Sequence, residues 1–76
     1  MNYMERIVRD PSICGGEPVI KGTRVTLKTI LSSLAEGATT QEIIADFPSL
    51  KEIDLRAVIA FAAASAKEDL PLKTVS

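Results

Sequence analysis

Apolar positions along the chain follow two different periods, and the change falls near residue 25. Before it, the β-prone pieces Ile7-Val8, Val19-Ile20 and Thr23-Arg24-Val25 lie among the chain breakers Pro11, Gly15, Gly16, Pro18 and Gly22. Pieces this short read as strands and turns. Lys21-Gly22 suits a tight hairpin turn, because glycine takes positive φ without a steric cost. Residues 1–25 are therefore expected to form a β-arm with one small hairpin.

From Thr26 the period becomes helical. Leu27, Ile30, Leu31, Leu34 and Ala35 form one apolar stripe, with Thr26 as N-cap and Gly37 as the residue that closes the helix. The spacing predicts a first helix over Leu27–Glu36. Thr39 and Glu42 have capping-box spacing and open a second helix, Thr40–Phe47, that carries Ile43, Ile44 and Phe47 and ends at Pro48. A third helix is predicted over Lys51–Lys67. Its cap is either Ser49 with Glu52 or Lys51 with Asp54, and the pattern is compatible with both. Leu55, Val58, Ile59, Ala62 and Ala66 form its expected apolar face, with Phe61 at the margin. The run of alanines from 57 to 66 leaves a flat surface that another chain can approach closely. Residues 68–76 are expected to form a short tail, with Leu70 and Leu72 among charges. The expected architecture is one domain over residues 1–76. It is mainly α, a small three-helix bundle of the homeodomain-like helix-turn-helix type over 26–67, preceded by the β-arm.

Size and composition narrow the chemistry. With 76 residues the chain has a marginal core, and ordering it costs nearly as much as burial returns, so a homodimer is expected. The 46% hydrophobic and 25% charged residues fit a folded globular chain. There is no histidine and one cysteine, which removes His-dependent triads and Cys/His zinc clusters. No metal or cofactor is expected. Cys14 lacks a base to lower its thiol pKa and reads as a small, partly buried apolar residue. Gly15-Gly16 lacks the spacing of a phosphate-binding loop and reads as turn chemistry. The acidic residues are scattered singly, so no paired-carboxylate catalysis is indicated and no enzyme is expected. No stretch is long and apolar enough to span a membrane. With no signal-peptide pattern and one cysteine, a cytoplasmic protein is expected.

Charge is unevenly placed. Residues 1–35 carry five cations (Arg6, Arg9, Lys21, Arg24, Lys28) and three anions, net +2; residues 36–76 carry four cations and seven anions, net −3. The whole chain, at −1, lacks the basic excess of a stand-alone nucleic-acid binder. Binding to double-stranded DNA therefore calls for two copies or a locally concentrated basic face. Lys21, Arg24 and Lys28 around the hairpin, with Lys51 and Arg56 on the third helix, are the candidate nucleic-acid contacts. Arg24 has a competing role as an anchor that ties the arm to the helices. The third helix has a competing reading as a solvated bundle face, since Glu52 and Asp54 offset Lys51 and Arg56. For a protein partner the candidates are Ala60, Ala63, Leu70 and Leu72.

One stretch is more specific. Ile13-Cys14-Gly15-Gly16-Glu17-Pro18-Val19-Ile20-Lys21-Gly22-Thr23-Arg24-Val25 resembles the signature of domain-of-unknown-function family 433: a Gly-Gly, a Pro two residues on, then Gly-Thr-Arg and an aliphatic residue. The resemblance continues through Leu34-Ala35-Glu36-Gly37, Glu42-Ile43-Ile44, Phe47-Pro48-Ser49-Leu50 and Asp54-Leu55-Arg56-Ala57, so it covers roughly residues 6–66. It implies a helix-turn-helix-like domain similar to VapB-type antitoxins, whose toxin is a PIN-like ribonuclease and which bind their own promoter as dimers. Lys51 departs from the family, which often has a helix-capping Thr there, and with so short a tail no long toxin-wrapping segment is expected. The function expected on this basis is an antitoxin that neutralises a PIN-like ribonuclease and binds operator DNA as a dimer. The alternative is a protein-interaction module without DNA contact.

Overall fold

Local chain chemistry sets three helix starts and two sharp turns, and the core forms where they converge. The computed structural model describes residues 5–66. In chain order the elements are β1 (Ile7–Val8), β2 (Val19–Ile20), α1 (Leu27–Ala35), α2 (Thr40–Asp46) and α3 (Glu52–Ser65), with a short 3-10 turn at Cys14–Gly16. The expected mainly helical architecture, three helices behind a short antiparallel strand pair, is the one observed.

Each helix starts differently. The Thr26 hydroxyl accepts the Thr29 N–H at 3.1 Å and caps α1. At its other end Gly37, with φ +98, receives the chain in a Schellman turn. There Gly37 N–H donates to Leu34 C=O and Ala38 N–H to Ser33 C=O, both at 3.0 Å. α2 opens on the expected capping box: Glu42 N–H donates to Thr39 Oγ1 at 3.1 Å, and Thr39 N–H donates to Glu42 Oε1 at 2.9 Å. α3 starts in the Lys51/Asp54 register, where Asp54 Oδ2 accepts the Lys51 N–H at 2.9 Å. A lysine side chain has no acceptor, so this is half of a capping box.

α3 packs against both α1 and α2, which also touch each other. Between them lies a core of Ile20, Leu27, Ile30, Ile43, Leu50, Leu55 and Val58, flanked by Ile7, Val25, Phe47 and Phe61. The N-terminal part is no free arm, because Val19 and Ile20 are fully buried. The turn at Lys21-Gly22 lies where expected: Thr23 N–H donates to Ile20 C=O at 3.0 Å, with Gly22 at φ +80. The Thr23 hydroxyl staples it, donating to Ile20 C=O at 2.8 Å and accepting Val25 N–H at 3.1 Å. Beyond that turn, however, only a single bridge forms, Val19 with Thr26. The paired strand comes from upstream, with Ile7 opposite Ile20 and Val8 opposite Val19.

The face that α3 turns inward also differs from the expected one. Asp54, Leu55, Ala57 and Val58 are buried, while Ile59 and Ala66 are exposed. A carboxylate that belongs to the solvent side by sequence pattern is drawn into the protein, and the helix is rotated with it. In α1, Ala35 likewise lies on the exposed surface. Among the described residues no helix is long and apolar enough to cross a membrane.

Candidate functional site

The rotation of α3 decides which of its side chains are available. At 100° per residue, Glu52, Ile53, Arg56, Ile59, Ala60 and Ala63 fall on one outward stripe. Ile53 is 43% exposed and Ile59 48%, Ala63 is exposed and Ala60 half-buried. The helix therefore carries apolar side chains on its outward stripe as well as on its buried face, mixed there with Glu52 and Arg56. Ile53 and Ile59 were not among the expected contact residues. They escape a sequence reading because an isoleucine at helical spacing looks like core until the rotation of the helix is known. Leu70 and Leu72 lie outside the described residues.

All five candidate cations reach solvent. Lys21 and Arg24 lie in the turn between β2 and α1, Lys28 in the first turn of α1, Lys51 at the N-cap of α3 and Arg56 one turn further on. The burial of Asp54 changes the balance at the start of α3. That carboxylate is 1% exposed and paired with Arg6, so the exposed charges there are Lys51, Glu52 and Arg56. The balance is now one positive charge, where the bare sequence gives zero. Arg6 is correspondingly withdrawn from the basic N-terminal part.

Arg24 does not act as the anchor. Its side chain is exposed and enters no ion pair among the described residues; its backbone C=O accepts a weak hydrogen bond from Cys14 Sγ at 3.4 Å. The anchoring is done by Arg6, whose Nε donates to Asp54 Oδ1 at 2.7 Å. Cys14 is exposed, contrary to the partly buried position expected for it. It sits at φ +50, ahead of Gly15 at +65 and Gly16 at +85, so three successive residues are left-handed. That is turn chemistry, as Gly15-Gly16 suggests. Among the described residues no group of three or more metal-ligating side chains comes together.

Two carboxylates have a shifted acidity. Glu42 is held below the usual glutamate range by the Thr39 backbone N–H and then by the Thr39 side chain. Asp10 is lowered by the Ser12 hydroxyl and then by the Ser12 backbone N–H. The first shift arises from the capping box of α2 and the second from the turn in which Asp10 accepts both Ser12 groups.

Comparison with known proteins bears on the family and the fold. A family model described as "Protein of unknown function (DUF433)" matches residues 7–62. The chain is 33% identical over 61 residues to the uncharacterized protein y4eO of Sinorhizobium fredii, covering 80% of this chain and 28% of that one. It superimposes on the crystal structure of a DUF433 member protein from Anabaena variabilis with a TM-score of 0.74 and 29% identity. That match covers 82% of this chain and 61% of the other. Both relatives are thus considerably longer than the segment they share with it.

Proposed function

The chain belongs to the DUF433 family of proteins of unknown function, and on that premise we propose that it is an antitoxin that neutralises a PIN-like ribonuclease and binds operator DNA as a homodimer in the cytoplasm. It acts by contact and carries out no catalysis of its own. The observation that carries the reading is the apolar outer face of α3, where Ile53 and Ile59 stand nearly half exposed beside Ala60 and Ala63. Water gains nothing from such a stripe, whereas a partner groove removes it from water and stabilises the complex. Exposed isoleucines flanked by alanines suit close approach of another apolar surface, with Glu52 and Arg56 supplying a polar register. Support for the DNA half comes from the exposed cations Lys21, Arg24, Lys28, Lys51 and Arg56, doubled in a dimer.

The reading predicts a PIN-like nuclease encoded beside this chain's gene, and that nuclease is the means of testing it. RNA cleavage by that nuclease is expected to stop when the chain is added and to continue with Ile53→Glu/Ile59→Glu. Uninhibited cleavage with the wild-type chain overturns the proposal.

A second reading has its own observation. Arg56 is the one cation in α3, a sparse supply for a helix meant to lie in a major groove. It favours a protein-interaction module without DNA contact. A gel-shift with the upstream region separates the two: salt-dependent retention supports the operator-binding antitoxin, and no retention with nuclease inhibition intact supports the module.

A further inference from the structure

Helical periodicity gives α3 two possible inward faces, and the observed one is the less apolar. At 100° per residue, Leu55, Val58, Ile59, Ala62 and Ala66 form one stripe, whereas the residues actually buried are Asp54, Leu55, Ala57 and Val58. The centres of the two faces lie about 75° apart around the helix. Leu55 and Val58 belong to both, so α3 can turn from one face to the other without leaving the core. Such a turn buries Ile59, now 48% exposed, at the expense of the small Ala57, and it carries Asp54 to the solvent boundary. Apolar burial therefore favours the rotation that is not observed. Ser49 and Glu52 have the spacing to cap the helix in that rotation. What opposes it is the buried Asp54 carboxylate, held by Arg6 Nε at 2.7 Å and by the Lys51 N–H at 2.9 Å.

We propose that Arg6 is the positioning residue of α3: its pairing with Asp54 holds the helix in the rotation that presents Ile59, and loss of the pairing turns Ile59 into the core. Paired, the carboxylate is tolerated inside the protein. Unpaired, it is costly to keep from water, and moving it to the boundary gains both its hydration and the burial of Ile59. Arg6 directly precedes β1, so the N-terminal strand pair controls whether the outer face of α3 is complete. That consequence for partner binding rests on the proposed function. The turn of the helix does not, since it follows from the ion pair and the helical period.

Iodoacetamide labelling of single cysteines in the full chain tests the proposal, with Cys14→Ser as background and circular dichroism to verify folding. Ile59→Cys and Ala57→Cys report the two sides of the turn, and a cysteine is apolar enough to follow the isoleucine inward. With Arg6 in place, the reporter at 59 is expected to label readily and the one at 57 to be protected. On adding Arg6→Met, labelling at 59 is expected to slow and labelling at 57 to quicken, each by about tenfold, because the rate follows local exposure. Loosening of the fold cannot imitate this, since it speeds both. Adding Asp54→Leu to Arg6→Met is expected to restore the original pattern, because leucine favours the inward position without a cation. Rates that rise together, a reporter at 59 indifferent to Arg6→Met, or a pattern that Asp54→Leu does not restore overturns the proposal. The assay contains no nuclease or DNA, so its failure is distinguishable from failure of the antitoxin reading.

Discussion

Arg6 and Asp54 lie 48 residues apart and form a latch between the strand pair and the third helix. Asp54 accepts Arg6 Nε through one carboxylate oxygen, at 2.7 Å, and the Lys51 N–H through the other, at 2.9 Å. One buried carboxylate thus fixes the chain before β1 and starts α3. The two partners differ in exposure, 32% for Arg6 and 1% for Asp54, so their removal has unequal costs. Arg6→Ala strands a buried anion and is expected to cost about 3 kcal/mol. Asp54→Ala frees a cation that turns to water and is expected to cost about 2 kcal/mol, mainly through the lost cap. In a double-mutant cycle followed by urea unfolding, the second substitution is expected to add less than about 1 kcal/mol to the first. Additive costs contradict the latch.

Acid is expected to remove part of the stability through two hydrogen-bonded carboxylates, one in a helix cap and one in a turn. Glu42 and Asp10 have folded pKa values below their ordinary 4.5 and 3.8. A lowered folded pKa means that the contribution is complete above the ordinary value and is lost as pH falls through the folded one. Glu42→Gln keeps an acceptor for the Thr39 N–H but does not titrate. Urea midpoints of the wild type and Glu42→Gln are therefore expected to converge below pH 4.5 and to separate, wild type higher, at neutral pH. A gap that stays constant across that range contradicts the assignment.

Two glycines are required by backbone geometry alone. Gly22 at φ +80 and Gly37 at φ +98 have nothing within 4 Å of where a Cβ would stand. Alanine at either position meets no clash, and the left-handed backbone alone is expected to cost about 1 kcal/mol. Gly37→Asn is expected to cost less than Gly37→Ala, since asparagine tolerates this conformation at helix ends. Thermal unfolding of the three variants checks both the magnitude and the order.

If the start of α3 meets operator DNA, Arg56 and the N-cap residue Lys51 are read out by salt. Lys51→Ala and Arg56→Ala are each expected to reduce the slope of log affinity against log salt by about 1 per copy, and to weaken binding at all sites alike when the contact is to phosphate. Glu52→Ala is expected to tighten binding. Gel-shift titrations at several salt concentrations give the slopes, and an unchanged slope for both cation variants removes α3 from the DNA interface.

The sequence made local features readable and left long-range ones open. The Thr39–Glu42 box, the Gly37 stop and the Gly22 turn each lie within a few residues, and the helices run within two residues of their expected bounds. The partner of β2 was not legible, because the choice between Thr23–Val25 and Ile7–Val8 depends on tertiary register and not on local chemistry. Neither was the third-helix cap. The Lys51/Asp54 register fits because Arg6, distant in sequence, supplies the cation that makes a buried Asp54 tolerable. The same event misdirects the reading of the functional face. Once Asp54 turns inward, Ile59 turns outward, so the exposed apolar stripe follows from the ion pair and was invisible without it.

The most direct test of the account is inhibition of the predicted partner nuclease by Ile59→Glu, measured beside urea unfolding of the same variant. Ile59 is nearly half exposed, so stability is expected to stay within about 0.5 kcal/mol of wild type, while inhibition falls by at least about tenfold through loss of the buried contact. A stable Ile59→Glu chain that inhibits as well as the wild type contradicts the claim that the outer face of α3 grips the partner.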